Sequence, residues 1–159
     1  MWLCKNCGFE YFHNVAASVA AIIISDKEVL FTVREKPPMR DYLDLPGGFV
    51  DPKESLEDAL SREVKEELGL ELTNWQFFTS FPNTYQYKDV TYKTCDSFFI
   101  CRLKDKPELT IEVSEIQSYE WMALNKVNFD QIGFSSVRHV IKHLIRESAY
   151  SLSLITNTA

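Results

Sequence analysis

The chain has 159 residues, 45% of them hydrophobic and 25% charged, a composition that suits one domain with a real core, and no second domain is expected. Its net charge of −6 argues against a general nucleic-acid binder, which needs a basic footprint. No apolar run approaches membrane-spanning length, and the N-terminus lacks the apolar centre of a signal peptide, so a soluble cytoplasmic protein is expected.

Residues Cys4 to Asn14 read C-K-N-C-G-F-E-Y-F-H-N, and C-x2-C-G is the shape of one zinc knuckle. A closed structural zinc site wants four ligands, and Cys95 and Cys101, six apart in a strand-like run, do not make a second knuckle. Structural zinc is therefore not expected in the monomer. His13 offers a third ligand and pairing of two chains a fourth, which leaves a zinc-linked homodimer open. Residues 1–14 are set apart from a domain at 15–150, and 151–159, lacking periodicity, read as a mobile tail.

Val15 to Ser25 is a nearly continuous apolar run with β-branched weight, read as a buried strand. Asp26-Lys27 turns the chain into a second strand at Val29 to Val33, making a hairpin. Lys36 to Arg40 is a loop by its prolines, and Leu45-Pro46-Gly47-Gly48 forces a tight turn. A helix then begins near Ser55: Ser55 and Asp58 form a capping box, and Gly69 stands where a C-terminal stop belongs.

Leu56, Ala59, Leu60, Val64 and Leu68 follow at helical spacing. On a wheel of roughly 100° per residue, Glu63 falls between Ala59 and Leu60, with Glu66 and Glu67 to either side of it, so three carboxylates face the protein body. Asp58, Ser61, Arg62 and Lys65 occupy the outward arc. Like charges at this spacing repel, and a desolvated carboxylate is penalised. A hard divalent cation such as Mg²⁺ or Mn²⁺ compensates both effects; the alternative is a solvated acidic helix.

Leu70 to Phe81 is read as a strand and Pro82 to Asp89 as a connection, with Tyr85 and Tyr87 as a surface on which a base can stack or, alternatively, as hairpin packing. Thr91 to Leu103 is a long strand, and Ile116 to Met122 another. Ser135 to Tyr150 is an amphipathic helix whose stripe of Val137, Val140, Ile141, Leu144 and Ile145 packs on the sheet.

Gly48, Glu54, Arg62, Glu63, Val64, Glu66, Glu67, Gly69 and Leu70 match every defined position of G-x5-E-x7-R-E-U-x-E-E-x-G-U, where U is aliphatic. The stretch resembles the Nudix box of the Nudix hydrolases. That resemblance implies an α/β/α sandwich with a mixed central sheet and metal-dependent hydrolysis of a phosphoanhydride bond. The substrate would be a small nucleoside diphosphate linked to another moiety, such as a nucleotide sugar, a dinucleotide or a nucleoside triphosphate. By the same analogy Glu63, Glu66, Glu67 and the Gly47 carbonyl hold the metal, while Glu54 and Arg62 order the loop and the acids. Glu115 would add a metal ligand or base, with Glu112 and Glu120 as rivals. Arg34, with Lys36 and Arg40 behind it, would contact phosphate, and Phe49, Tyr85 and Tyr87 the remainder of the substrate. Residues 1–14 look like the second half of the zinc ribbon that some Nudix proteins carry. The alternative function is a non-catalytic Nudix domain that senses a nucleotide or binds a partner, against which the intact acid set argues.

Overall fold

The computed structural model describes residues 1–156, with side chains through Ser148. At the N-terminus β1 (Trp2–Leu3) pairs with β2 (Glu10–Tyr11) as a separate two-stranded ribbon. The knuckle turn between them is closed by Cys4 N–H to the Phe9 carbonyl and Gly8 N–H to the Cys4 carbonyl. Cys4 and Cys7 are free thiols, and hydrogen bonding from the Cys7 and Asn6 backbones draws the Cys4 thiol below its ordinary pKa.

The apolar run becomes β3 (Ala16–Ser25), joined to β4 (Glu28–Arg34) through Asp26 and Lys27, whose φ values of 50° and 66° suit a two-residue hairpin turn. The two strands pair only at Ile24–Val29 and Ser25–Glu28. Beyond the hairpin end, the segment 43–49 lies between them. Its β5 (Leu43–Asp44) pairs with β4 at Thr32 and Val33, and its β6 (Gly47–Phe49) pairs with β3 at Ser18 to Ala20. The Pro46 carbonyl takes the Ala21 N–H, and Leu45 is buried, so this wedge is fastened on both sides.

After the wedge comes α1 (Leu56–Leu68), with the expected capping box at Ser55 and Asp58 and a left-handed Gly69 at its C-terminus. The sheet is completed by β7 (Gln76–Tyr87), β8 (Val90–Arg102) and β9 (Ile116–Ala123). β8 runs parallel to β3, β7 is antiparallel to β8, and β9 is antiparallel to β4, which makes the seven-stranded sheet mixed. Two short 3-10 turns, Leu124–Lys126 and Phe129–Gln131, lead into α2 (Ser135–Thr156).

Alternation along β3 divides the core. Val19, Ala21 and Ile23 face α1 with Leu60, Val64 and Leu68, while Ile22 faces α2 with Phe98, Val140 and Ile141. Three boundaries differ from the sequence expectation. Residues 70–75 are not strand: the chain uses them to travel from the end of α1 to the sheet edge, packing Leu70, Leu72 and Trp75 on the α1 side. β7 continues through Pro82 where a corner is expected, because β7 pairs only with β8 and an edge strand tolerates a residue without an N–H. α2 extends past Tyr150 to Thr156, and the tail at 157–159 lies outside the described residues. Among the described residues no helix is long and apolar enough to cross a membrane.

Leu60 is fully buried where α1 meets the sheet. Leu60→Ala is expected to lower stability by about 2–5 kcal/mol, through lost transfer energy and the cavity left behind. Urea unfolding followed by circular dichroism measures this as a fall in midpoint at unchanged slope.

Candidate active site

The wedge and α1 meet where the two glycines stand. Gly47 has φ +149°, and a Cβ on it would lie 2.1 Å from the Val19 carbonyl oxygen, so only glycine brings the turn this close to β3. A Cβ on Gly48 would lie 2.4 Å from Glu63 Oε1; its absence lets the Glu63 carboxylate lie across the turn. From the last turn of α1, Glu67 reaches under the same turn, its Oε2 accepting the Gly47 N–H at 3.0 Å.

Arg62 binds this arrangement together. Its Nε and Nη2 fork onto Glu54 at 2.8 and 3.0 Å, and Nη1 donates to Glu63 at 2.8 Å and Glu66 at 3.2 Å. Nη2 also donates to the Phe49 carbonyl at 3.2 Å, tying the loop to the helix. The wheel puts Arg62 on the outward arc, yet its side chain is only 28% exposed, because a long guanidinium arm sweeps back along the helix to three carboxylates. Of the three inward acids expected, Glu63 is 15% exposed and Glu67 is half-buried, whereas the Glu66 side chain is 61% exposed. Glu66 is turned to solvent on the Arg62 side.

Burial lifts the Glu67 carboxyl well above the ordinary range, the neighbouring charges of Glu63, Asp44 and Glu115 add to this, and the Gly47 N–H works against it. Burial also raises Glu63, offset in part by Arg62. Among the described residues no three His, Cys, Asp or Glu side chains form a ready ligand cluster. The donors at hand are carboxylate oxygens of Glu63 and Glu67, and among the described residues no cationic side chain lies in ion-pair distance of Glu67, which fits a hard divalent cation with open positions for other oxygens.

These groups line a cavity of about 310 Å³. Arg34 borders it, with Nη1 on Asp44 at 2.8 Å, Nε on the Pro38 carbonyl at 2.9 Å and the guanidinium over the Phe134 ring at 5.2 Å. Lys36 pairs with Glu115 at 3.0 Å, and Arg40 pairs with Glu35 on the surface. Of the three candidate acids before and within β9, Glu115 borders the cavity; Glu112 caps the Ser114 N–H, and Glu120 lies opposite Phe31 in the sheet. Tyr85 borders it too, stacked on Phe134 with centroids 5.7 Å apart and edge-on to Phe49 at 5.3 Å. Tyr87 does not; it belongs to a shallow recess with Phe49, Tyr85 and Tyr92.

Sequence reasoning missed Asp44, Asp96, Ser18, Asn83, Thr94 and Phe134, all of which border the cavity. A signal existed for two of them: Asp44 stands between Leu43 and Leu45, and Asp96 comes shortly before the apolar run from Phe98 to Cys101, where an unpaired carboxylate is costly. Asp44 is buried against Arg34, and Asp96 is half-buried among hydroxyl groups.

The NUDIX domain model matches residues 14–144 of this chain. An RNA pyrophosphohydrolase of Sulfurovum sp. (strain NBC37-1) is 30% identical over 149 residues, which span 82% of this chain and 92% of that protein. The NAD-capped RNA hydrolase NudC of Haemophilus influenzae (strain PittGG) is 25% identical over 125 residues, covering 77% of this chain and 45% of that longer protein. The crystal structure of a MutT NUDIX hydrolase from Burkholderia pseudomallei shares the fold, with a TM-score of 0.70 at 22% identity over 82% of this chain and 98% of that one. With the family match spanning most of the chain and the acids of α1 gathered under its glycine turn, the chain belongs to the NUDIX domain family and is a Nudix-type pyrophosphohydrolase.

Proposed function

We propose that this chain hydrolyses a phosphoanhydride bond in a nucleoside diphosphate linked to another moiety, using Mg²⁺ or Mn²⁺ held by Glu63, Glu66 and Glu67, with the Gly47 carbonyl beside them. The observation that carries the reading is the half-buried Glu67 carboxylate, which accepts the Gly47 N–H, has Glu63, Asp44 and Glu115 around it and, among the described residues, makes no ion pair. A bound divalent cation supplies neutralisation of phosphate charge and acidifies the attacking water.

The protein's own groups have distinct tasks. Arg62 keeps Glu63 and Glu66 aimed and anchors Glu54 and the Phe49 backbone, so the turn and the acids hold one geometry. Arg34 is pre-oriented by Asp44 and Pro38 and keeps its Nη2 group for a phosphate oxygen. The water's proton goes to the coupled carboxylate cluster or to Glu115 at the cavity edge. Phe49 and Tyr85 give the cavity an aromatic side on which the substrate's non-phosphate part rests, and Tyr87 extends that side into the neighbouring recess. Similar proteins carry the names RNA pyrophosphohydrolase and NAD-capped RNA hydrolase, so RNA ends with a pyrophosphate bond belong among the substrates tried.

The deciding experiment incubates the protein and Mg²⁺ or Mn²⁺ with nucleotide sugars, dinucleotides, nucleoside triphosphates and such RNA ends, and identifies products by mass. Product from at least one is expected, abolished by a chelator and restored by the metal. Nucleotide binding with no product from any member would support the sensor instead. Glu67→Gln keeps shape but removes an anionic ligand, and is expected to reduce kcat by at least about a hundredfold. Arg62→Lys cannot fork onto Glu54 and Glu63 together; a fall of about ten- to a hundredfold, with weaker metal dependence of activation, is expected from titrating the metal in steady-state assays.

A further inference from the structure

The cavity has a second polar end, away from the acids of α1 in the sheet. Asp96 on β8 stands beside Ser18 on β3 in the parallel register. Its Oδ1 accepts the hydroxyls of Ser18 and Thr94, each at 2.5 Å, and its Oδ2 accepts the hydroxyl of Ser136, from the first turn of α2, at 2.6 Å. A carboxylate offers about four lone-pair positions, so one stays open on Oδ2. All three hydroxyl protons are committed to Asp96, and the Ser18 and Thr94 oxygens that border the cavity are left with lone pairs alone. This patch accepts hydrogen bonds and has no side-chain proton to give.

Asn83 supplies the opposite character next to it. It lies across from Thr94 in the β7–β8 ladder, and its Oδ1 accepts the Ser135 hydroxyl at 3.2 Å. That contact turns the oxygen towards α2, and the amide N–H groups, with no partner among the described residues, are free to donate at the cavity that Asn83 borders. The wall therefore reads acceptor and then donor, beside the aromatic edge made by Phe49 and Tyr85.

We propose that this end of the cavity selects an amino-substituted nucleobase, adenine or cytosine, through its amidine edge: the exocyclic amino group donates to Asp96 Oδ2 and the adjacent ring nitrogen accepts from the Asn83 amide. The assignment rests on the cavity being a nucleotide site. A base with a keto group at that position sets an oxygen against oxygens that have no proton to share, and its ring N–H meets the Asn83 donor. Both contacts are then lost, and buried polar groups are left unpaired.

The test is calorimetric titration of the full chain with AMP, IMP, CMP and UMP, pairs that differ only in amino against keto. AMP over IMP, or CMP over UMP, by about tenfold or more is expected, and the pair that shows it names the base. Asn83→Ala should shrink the ratio, leaving Asp96 alone to discriminate, and Asn83→Asp, which accepts from the ring N–H of a keto base and repels the ring nitrogen of an amino base, should collapse it towards one. A purely structural Asn83 would weaken all four ligands alike. Asp96→Asn serves as a second variant, with its melting temperature checked, and should weaken the amino partner more than the keto partner. Equal affinities within both pairs, a keto preference, ratios unmoved by the Asn83 variants, or no binding of any of the four at millimolar concentration would each overturn the inference. The substrate panel is read separately: product release without amino preference removes this inference and keeps the hydrolase, while amino preference without product release does the reverse.

Discussion

Burial of negative charge between α1 and the Gly47-Gly48 turn is the constraint on which the site is arranged. Glu63 and Glu67 project from the helix into a space that only side-chain-free residues can leave open, and the backbone amide of Gly47 donates to Glu67. Such an arrangement is unfavourable in isolation, because each carboxylate loses water and feels its neighbours. The fold holds it through Arg62, whose fork engages Glu54 while its remaining nitrogen contacts Glu63 and Glu66. Repulsion of this kind is what a hard cation relieves, which is the physical basis of the proposed metal site.

The sheet makes that position available by splitting. β3 and β4 stay paired only near their hairpin, and the 43–49 wedge fills the divergence with a hydrogen-bonded strand on each side. The same wedge carries Asp44, which orients Arg34, and Phe49, which closes against Tyr85. One short segment therefore connects the α1 carboxylates, the Arg34 guanidinium and the aromatic side of the cavity. On the other side of the sheet the first turn of α2 brings Ser135 and Ser136 against Asn83 and Asp96, so the cavity is bounded by the start of one helix and the end of another.

The division of labour along the chain follows from this geometry. In the proposed function the chemistry falls to α1, whose residues act through charge and burial, and in the proposed base selection the work falls to strands β3, β7 and β8, whose side chains at the cavity hydrogen-bond to neighbours in the fold. The β1–β2 ribbon stands apart: it has two cysteines in a closed turn and its exposed aromatic residues Trp2, Phe9, Tyr11 and Phe12.

How much was legible in advance depended on whether the determinant was local. The capping box, the glycine stop, the helical spacing of Leu60, Val64 and Leu68 and the apolar run of β3 are statements about neighbours in sequence, and they defined α1, the first hairpin and the acidic motif by themselves. The course of β7 through Pro82 was not legible, since tolerance of proline depends on that strand being at an edge, which only sheet order determines. Likewise the wheel could place Glu63, Glu66 and Glu67 on one side of α1 but not say that Arg62 would fold back over it. The Asp96 cluster draws Ser18, Thr94 and Ser136 from three elements, with separations of 78 and 40 residues to the two serines, and no periodicity within any one of them points to the others. Sequence alone therefore determined α1 and its set of acids, because a helix encodes its faces every few residues. The tertiary structure alone decided what lines the rest of the cavity, because those side chains become neighbours only when β3, β8 and α2 are packed together.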